Sequence, residues 1–577
     1  MSISLRRRSN LGAVAAAGLA LALLVALNVR ATIGQEVGAE RTQGRSMVVT
    51  RNGVVAAENP LAAQAGAAIL ARGGNAVDAA VATNAVMGVV EPMMNGMGGD
   101  LFAIVYDAKS GKIYGLNASG WAPAALTIDH LKSKGLTEMP DGGIDSVTVP
   151  GVVDGWSKLL ARFGTKQFPE LLAPAIYYAR DGFPVPEFTT QNWANAEKGL
   201  RTNANAIATY LPDGHAPRLG EVFRNPDVAH SLELVAAGGR DAFYKGEIAR
   251  QILATSQRLG GVMAPADLAD FSAEWVEPIS TDYHGWTVYE IPPNGQGIAA
   301  LEMLNIMEKF PLAQYGQGST DAFHVMIEAR NLAYADLYRF VGDQRFSKVP
   351  VEGMLSKDYA AQRAKLIDLA KANCDVPPGA PPFPPHGDTT YMTVVDRDGN
   401  MVSLIQSNAS DFGSDVVADH TGFALQNRGS AFTLDPASPN ALAPRKRPFH
   451  TIIPAFMTHG DVRIAFGIMS GANQPQAQAQ FVSDVVDFGM NIQAAMEAPR
   501  FTKYSDGGCD LVIESRVPAD VRAALEKRGH KLQVVGDFSQ LMGGGQAVRR
   551  DFSSGVNFGA SDPRKDGEAI PQPAPVP

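Results

Sequence analysis

The feature that most restricts this chain is a proline tract that ends just before two threonines. Residues 376–385 read VPPGAPPFPP. Proline fixes φ and lacks the amide proton that helices and central strands need, so the tract predicts an exposed, extended linker. Three residues later comes TTYMTVVDRDGNMVSLIQSN, in which TTYMTVVD and MVSLIQS have strand character on either side of an Asp398-Gly399 turn. This predicts a β-hairpin whose first strand begins at Thr389, directly after a segment where cutting is tolerated. A two-residue loop pairs Thr390 with Ser407 and Thr389 with Asn408.

A chain of 577 residues, 45% apolar and 19% charged, is an ordinary globular protein rather than a disordered or fibrous one. Its net charge of -9, without a basic tract, gives no source of counterion release, so nucleic acid is not an expected partner. Two cysteines, Cys374 and Cys509, exclude a thiolate zinc site and a disulfide-dense scaffold, although an oxidising compartment would let them pair. The ten histidines lack H-E-x-x-H or similar spacing, so neither a metal site nor a cofactor is expected. DRDGN begins like a calcium loop, but Gly399 comes two places too early, and a hairpin turn explains it better.

At the N-terminus, Arg6, Arg7 and Arg8 precede an apolar run from Leu11 to Leu27, with Val29-Arg30-Ala31 as a cleavage site. That is the layout of an export signal over residues 1–31, or of an uncleaved membrane anchor. Either way the protein is exported, periplasmic or secreted, and the anchor is its sole expected membrane contact. Further on, two helices are expected in NPLAAQAGAAILARGG and NAVDAAVATNAVMGVVEP, the second capped by Asn75. The glycines of NGMGGDLFAIVYD open a strand, whereas a nucleotide fingerprint must open a helix. The middle of the chain, about 150–370, alternates helices with short strands.

A threonine freed at its α-amine carries its own base. The amine, with a pKa of about 7.7–8.0, can take the adjacent hydroxyl proton near neutral pH. VRIAFGIMSGANQPQAQAQF adds a strand, a tight Ser470-Gly471 turn and a helix start, which together can aim backbone N–H groups at an oxyanion.

These residues resemble the γ-glutamyltransferase family of N-terminal nucleophile hydrolases. The resemblance runs from about Val48 to Ile570 through GGNAVDAAVATNAVMGVVEP, GMGGDLFAIVYD, TVPGVVDGW, GGRDAFYKGEIA, IPPNGQG, DTTYMTVVDRDGN, KRPFHTIIPAF and GASDPRKDGEAI. It implies an α/β (α+β) fold, a four-layer αββα sandwich. It also implies a proenzyme cut between Asp388 and Thr389 into a mostly helical large subunit, residues 32–388, and a small subunit, residues 389–577. Thr389 would be the nucleophile and Ser407 its neighbouring hydroxyl, with Ser470 and Gly471 forming the oxyanion site.

The substrate clamps depart from the family pattern. Ser119 stands where the family has an arginine, and Ser430 or Ala431 where it has an acidic residue. His450 and Thr451 replace paired serines, while Arg428 and Arg447 become candidate anchors for an anionic acyl group. Hydrolysis or transfer of γ-glutamyl and related acyl groups from small amides such as glutathione is the leading expectation. An amidohydrolase for glutaryl or oxamate-type substrates is the alternative. A non-catalytic exported binding protein on the same scaffold is a rival of another class, and it would have no use for self-cleavage.

Overall fold

Two antiparallel sheets of seven strands each lie at the centre of the computed structural model, which describes residues 43–374, 376, 388–505 and 507–574. The first orders its strands Val48–Thr50, Val556–Ser561, Gly545–Asp551, Val462–Ile468, Ala455–His459, Trp286–Glu290, Ile279–Tyr283. The second runs Glu568–Pro571, Val54–Ala57, Asp388–Val395, Met401–Ala409, Asp100–Asp107, Lys112–Ala118, Glu274–Val276. Segments on both sides of Thr389 therefore supply strands to both sheets. Arg45–Pro577 forms one unit, and of the preceding unit, Met1–Gly44, residues 43 and 44 are described. The export signal and residues 377–387 of the proline linker lie outside the described residues.

Side-chain alternation sets the layers, because successive residues of a strand point to opposite faces. Along Asp100–Asp107, Phe102, Ile104 and Tyr106 enter a core between the sheets that also holds Tyr391, Ile405, Phe456, Ala465 and Val548. Leu101, Ala103 and Val105 point the other way, into a core roofed by helices such as Pro60–Ala71, Ala76–Val90 and Pro226–Tyr244. The opposite face of the first sheet, through Met457, Ile464 and Phe466, meets helices Gly297–Met307, Thr320–Phe340 and Gln474–Val486. The result is the four-layer αββα sandwich. Each large apolar side chain buried this way contributes about 1.5–3 kcal/mol.

Local signals place the elements around the site. Asn75 Oδ1 accepts the amides of Val77 and Asp78 at 3.0 Å each, and Asp78 Oδ2 accepts that of Asn75 at 2.9 Å. That capping box fixes the start of Ala76–Val90 as expected. A small third sheet, Phe501–Thr502, Asp510–Glu514 and Lys531–Val535, sits beside a disulfide joining Cys374 to Cys509. Among the described residues no helix is long and apolar enough to cross a membrane.

Candidate active site

The hairpin that carries Thr389 differs from the expected register, and its turn explains why. Asp396 accepts the amides of Asp398 and Asn400 at 3.0 and 2.9 Å and the Asn400 side-chain amide at 2.9 Å. This carboxylate organises a turn longer than two residues, with Gly399 at φ 91°, so Val395 pairs with Met401 and Thr390 with Gln406 rather than Ser407. A β-bulge follows. Asp388 pairs with Ala409, which leaves Ser407 and Asn408 together opposite Thr389. Bulges re-aim side chains in this way beside active sites.

The rest of the site closes around that bulge. Thr389, Thr390, Ser407 and Asn408 are all fully buried in this uncut chain. Gly98 and Gly99 of the GMGGD loop allow its backbone to press against the hairpin and the segment around Ala424. A Cβ at Gly99 would lie 2.4 Å from the Ser407 carbonyl oxygen, and one at Gly98 2.0 Å from that of Ala424. Asn95 Nδ2 donates to Thr390 Oγ1 at 2.7 Å, and Gln474 Nε2 reaches Thr389 Oγ1 at 3.4 Å. Gln474 is the first residue of helix Gln474–Val486, and its Oε1 accepts the Ile453 amide at 3.1 Å.

Ser470 (φ 93°) and Gly471 (φ 47°) form the tight turn ahead of that helix. Positive φ costs a serine about 1–2 kcal/mol, and its hydroxyl finds Tyr504 Oη at 3.2 Å. Gln296 Nε2 holds the Gly471 carbonyl at 2.8 Å and that of Thr451 at 2.6 Å. Neither the Ser470 nor the Gly471 amide donates to a protein acceptor among the described residues. The turn thus presents two N–H groups beside a helix N-terminus, which is what an oxyanion needs.

Charge is concentrated at Arg428. Its Nη2 donates to Ser407 Oγ at 3.0 Å and its Nη1 to Thr451 Oγ1 at 2.9 Å. Although Arg428 is buried, no carboxylate lies within 4.0 Å of it among the described residues. Burial pulls the guanidinium down to about 10, and the charge of Asp100 offsets this in part. Asp100 itself is engaged by the Gly120 amide and Gln426 Nε2, both at 2.8 Å, and by His450 Nε2 at 2.9 Å. His450 Nδ1 accepts the Ile452 amide at 3.3 Å, so the proton sits on Nε2 and is donated to Asp100. Burial, aided by the Arg428 charge, holds this imidazole down to about 4, and it is neutral at pH 7.

The other expected anchors are engaged elsewhere. Arg447 pairs with Glu274 at 2.8 Å and donates through Nε to the Ser119 carbonyl at 3.0 Å, which leaves Arg428 as the available cation. Ser119 is fully buried, its Oγ accepting from Asn294 Nδ2 at 3.1 Å. Ser430 sits half-buried on the Arg428–Ala431 turn. Ser470 lines a cavity of about 570 Å³ together with Asp411, Asn192, Tyr504 and Lys565, a volume suited to a small molecule. Asp100, Gln474 and Asp411 were not singled out by sequence. Each is an ordinary polar residue whose role appears only once distant segments meet.

A strand-opening threonine buried in an αββα sandwich, with Gln474 at the start of helix Gln474–Val486 in reach of its hydroxyl, is the architecture of an N-terminal nucleophile hydrolase. The chain belongs to the gamma-glutamyltranspeptidase family, whose model matches residues 62–572. It is 39% identical over 536 residues to the glutathione hydrolase-like YwrD proenzyme of Bacillus subtilis, covering 91% of this chain and 99% of that one. It is 35% identical over 531 residues to the oxamate amidohydrolase proenzyme of Klebsiella pneumoniae, covering 90% and 98%. Among solved structures, cephalosporin acylase from Bacillus halodurans superposes with a TM-score of 0.86 at 43% identity, covering 92% of this chain and 98% of that one.

Proposed function

We propose that this protein is an exported, self-cutting threonine amidohydrolase for small amides whose acyl group ends in a second carboxylate. Arg428 is the observation that carries this reading: a buried cation beside the proposed nucleophile, hydrogen-bonded to hydroxyls and paired with no carboxylate among the described residues. A substrate carboxylate supplies the missing partner. Glutaryl and oxamate-type amides have that chemistry, and γ-glutamyl amides share it.

In the first step Thr389 Oγ attacks the Asp388 carbonyl carbon. The acyl group moves from nitrogen to oxygen, and water hydrolyses the ester, leaving an Asp388 carboxylate and a free Thr389 amine. That amine then takes the Oγ proton as Oγ attacks a substrate amide. The oxyanion forms against the Ser470 and Gly471 N–H groups, the proton passes to the departing amine, and water releases the acid. Ser407 Oγ accepts hydrogen bonds from the Ala409 amide at 2.8 Å and from Arg428 at 3.0 Å, and the bulge sets Ser407 opposite Thr389. The fragments are residues 32–388 and 389–577, in keeping with the proenzyme names of its relatives.

Comparing glutaryl, γ-glutamyl and neutral acyl anilides tests this. Glutaryl and γ-glutamyl substrates should react within about tenfold of each other, and neutral ones more slowly. Thr389→Ala should stay a single chain without activity, whereas wild type yields a fragment beginning Thr389-Thr390-Tyr391. An active enzyme with an intact Asp388-Thr389 bond would overturn the mechanism. A second reading rests on Asp411, which lines the cavity with Ser470 and could receive an α-ammonium group. A preference of about a hundredfold for γ-glutamyl anilide, lost in Asp411→Ala, would favour it.

A further inference from the structure

A second polar cluster lies away from the nucleophile. His324 and Glu328 stand one turn apart on helix Thr320–Phe340, so they share a face, and His530 meets them from the turn before strand Lys531–Val535. One ligand atom from each lies within 4.8 Å of the others, and the three residues are 0%, 1% and 4% exposed, respectively. His324 Nε2 is 2.9 Å from the Asp368 carbonyl oxygen. A carbonyl only accepts, so Nε2 carries the proton and Nδ1 presents its lone pair toward His530 Nε2, 2.8 Å away.

Glu328 supplies the second observation. Its Oε2 accepts the Asn373 amide at 3.1 Å, while Oε1 is buried with no hydrogen-bond partner among the described residues. An imidazole tied at its far nitrogen to a carbonyl, a second imidazole and an unsatisfied carboxylate oxygen make up the ligand set of a borderline divalent ion. Two nitrogen donors disfavour magnesium and calcium. His530 also borders a surface cavity of about 650 Å³ with Tyr504, Asp510 and Glu526, which gives an access route and room for water as a fourth ligand. Two cations lie nearby and temper the affinity. Arg528 is paired with Asp321, and the Lys503 ammonium donates to the Gly508 carbonyl.

We propose that His324 Nδ1, His530 Nε2 and Glu328 bind one zinc ion as a structural site. The proton that His530 Nε2 donates to His324 in the metal-free form moves to His530 Nδ1 or to solvent on binding. The site needs neither the proposed cut nor the proposed substrate. No sequence spacing reveals it, because His530 is 206 positions from His324.

The test uses the full mature protein, stripped with dipicolinate and titrated with Zn²⁺ and, for a spectrum, Co²⁺. One ion per chain is expected, with the visible absorption of a four-coordinate Co²⁺ site and a higher unfolding midpoint on adding Zn²⁺. The near-isosteric Glu328→Gln and His530→Gln should each weaken zinc binding by about tenfold or more while hydrolysis continues. Substoichiometric uptake by stripped wild type, or wild-type affinity in both variants, would overturn the assignment.

Discussion

Two buried arginine sites in this molecule handle the same problem in opposite ways. Arg564 lies fully buried and makes a bidentate pair with Glu514, both distances 2.7 Å, while Asp562 accepts from it at 3.1 Å and from Arg500 at 2.8 Å. Burial alone would lower its pKa, but Asp562 and Glu514 hold it above the usual arginine range. At Arg428 the acid whose charge reaches it, Asp100, is committed to His450, Gly120 and Gln426, and the guanidinium falls to about 10. Complete pairing marks a structural site that nothing need enter. Incomplete pairing marks a place where stability has been given up, and a ligand carboxylate can recover it.

That contrast can be broken most severely at the paired site. Glu514→Gln removes one charge from a network that cannot rehydrate, and should cost about 3–5 kcal/mol in denaturant unfolding. Arg428→Ala should instead leave the unfolding midpoint unchanged or higher. In the same variant kcat/KM for glutaryl anilide should fall about a hundredfold, near 2.7 kcal/mol, with less than a tenfold change for a neutral acyl anilide. An equal loss for both substrates would assign Arg428 to the scaffold.

Smaller effects sharpen the comparison. Ser407→Ala removes the hydroxyl that links Arg428 to the bulge at Thr389, and should slow maturation and turnover about tenfold, or ~1.4 kcal/mol. Rates like those of wild type would show that the link is idle. The least effect concerns His450, whose folded pKa of about 4 lies below the unfolded value near 6.5. Between these values the unfolded chain binds the extra proton, so stability rises with pH and is lost on acidification. From pH 6.5 to 5.5 wild type should lose about 1 kcal/mol that His450→Gln does not lose, measured by denaturant titration at each pH.

Local chemistry was legible in the sequence, and long-range chemistry was not. The Asn75–Asp78 capping box, the hairpin after the linker and the Ser470-Gly471 turn all depend on neighbours within a few residues. The hairpin register slipped by one place because the Asp396 carboxylate gathers the turn amides, which a two-residue loop model ignores. Asp100 meets His450 across 350 positions and Gln474 meets Thr389 across 85, so no spacing could reveal either. The two candidate arginines, Arg428 and Arg447, looked alike in sequence. What separates them is Glu274, which lies beside only one.

The disulfide between Cys374 and Cys509 has a consequence for the molecule as an object. It closes a loop spanning 135 positions, and the proposed cut at Asp388-Thr389 falls inside that loop. Cutting a closed loop does not divide it. The matured protein would run as one species on a denaturing gel without thiol and as two with it, so whether it is one covalent body or two is decided by the redox state of its surroundings.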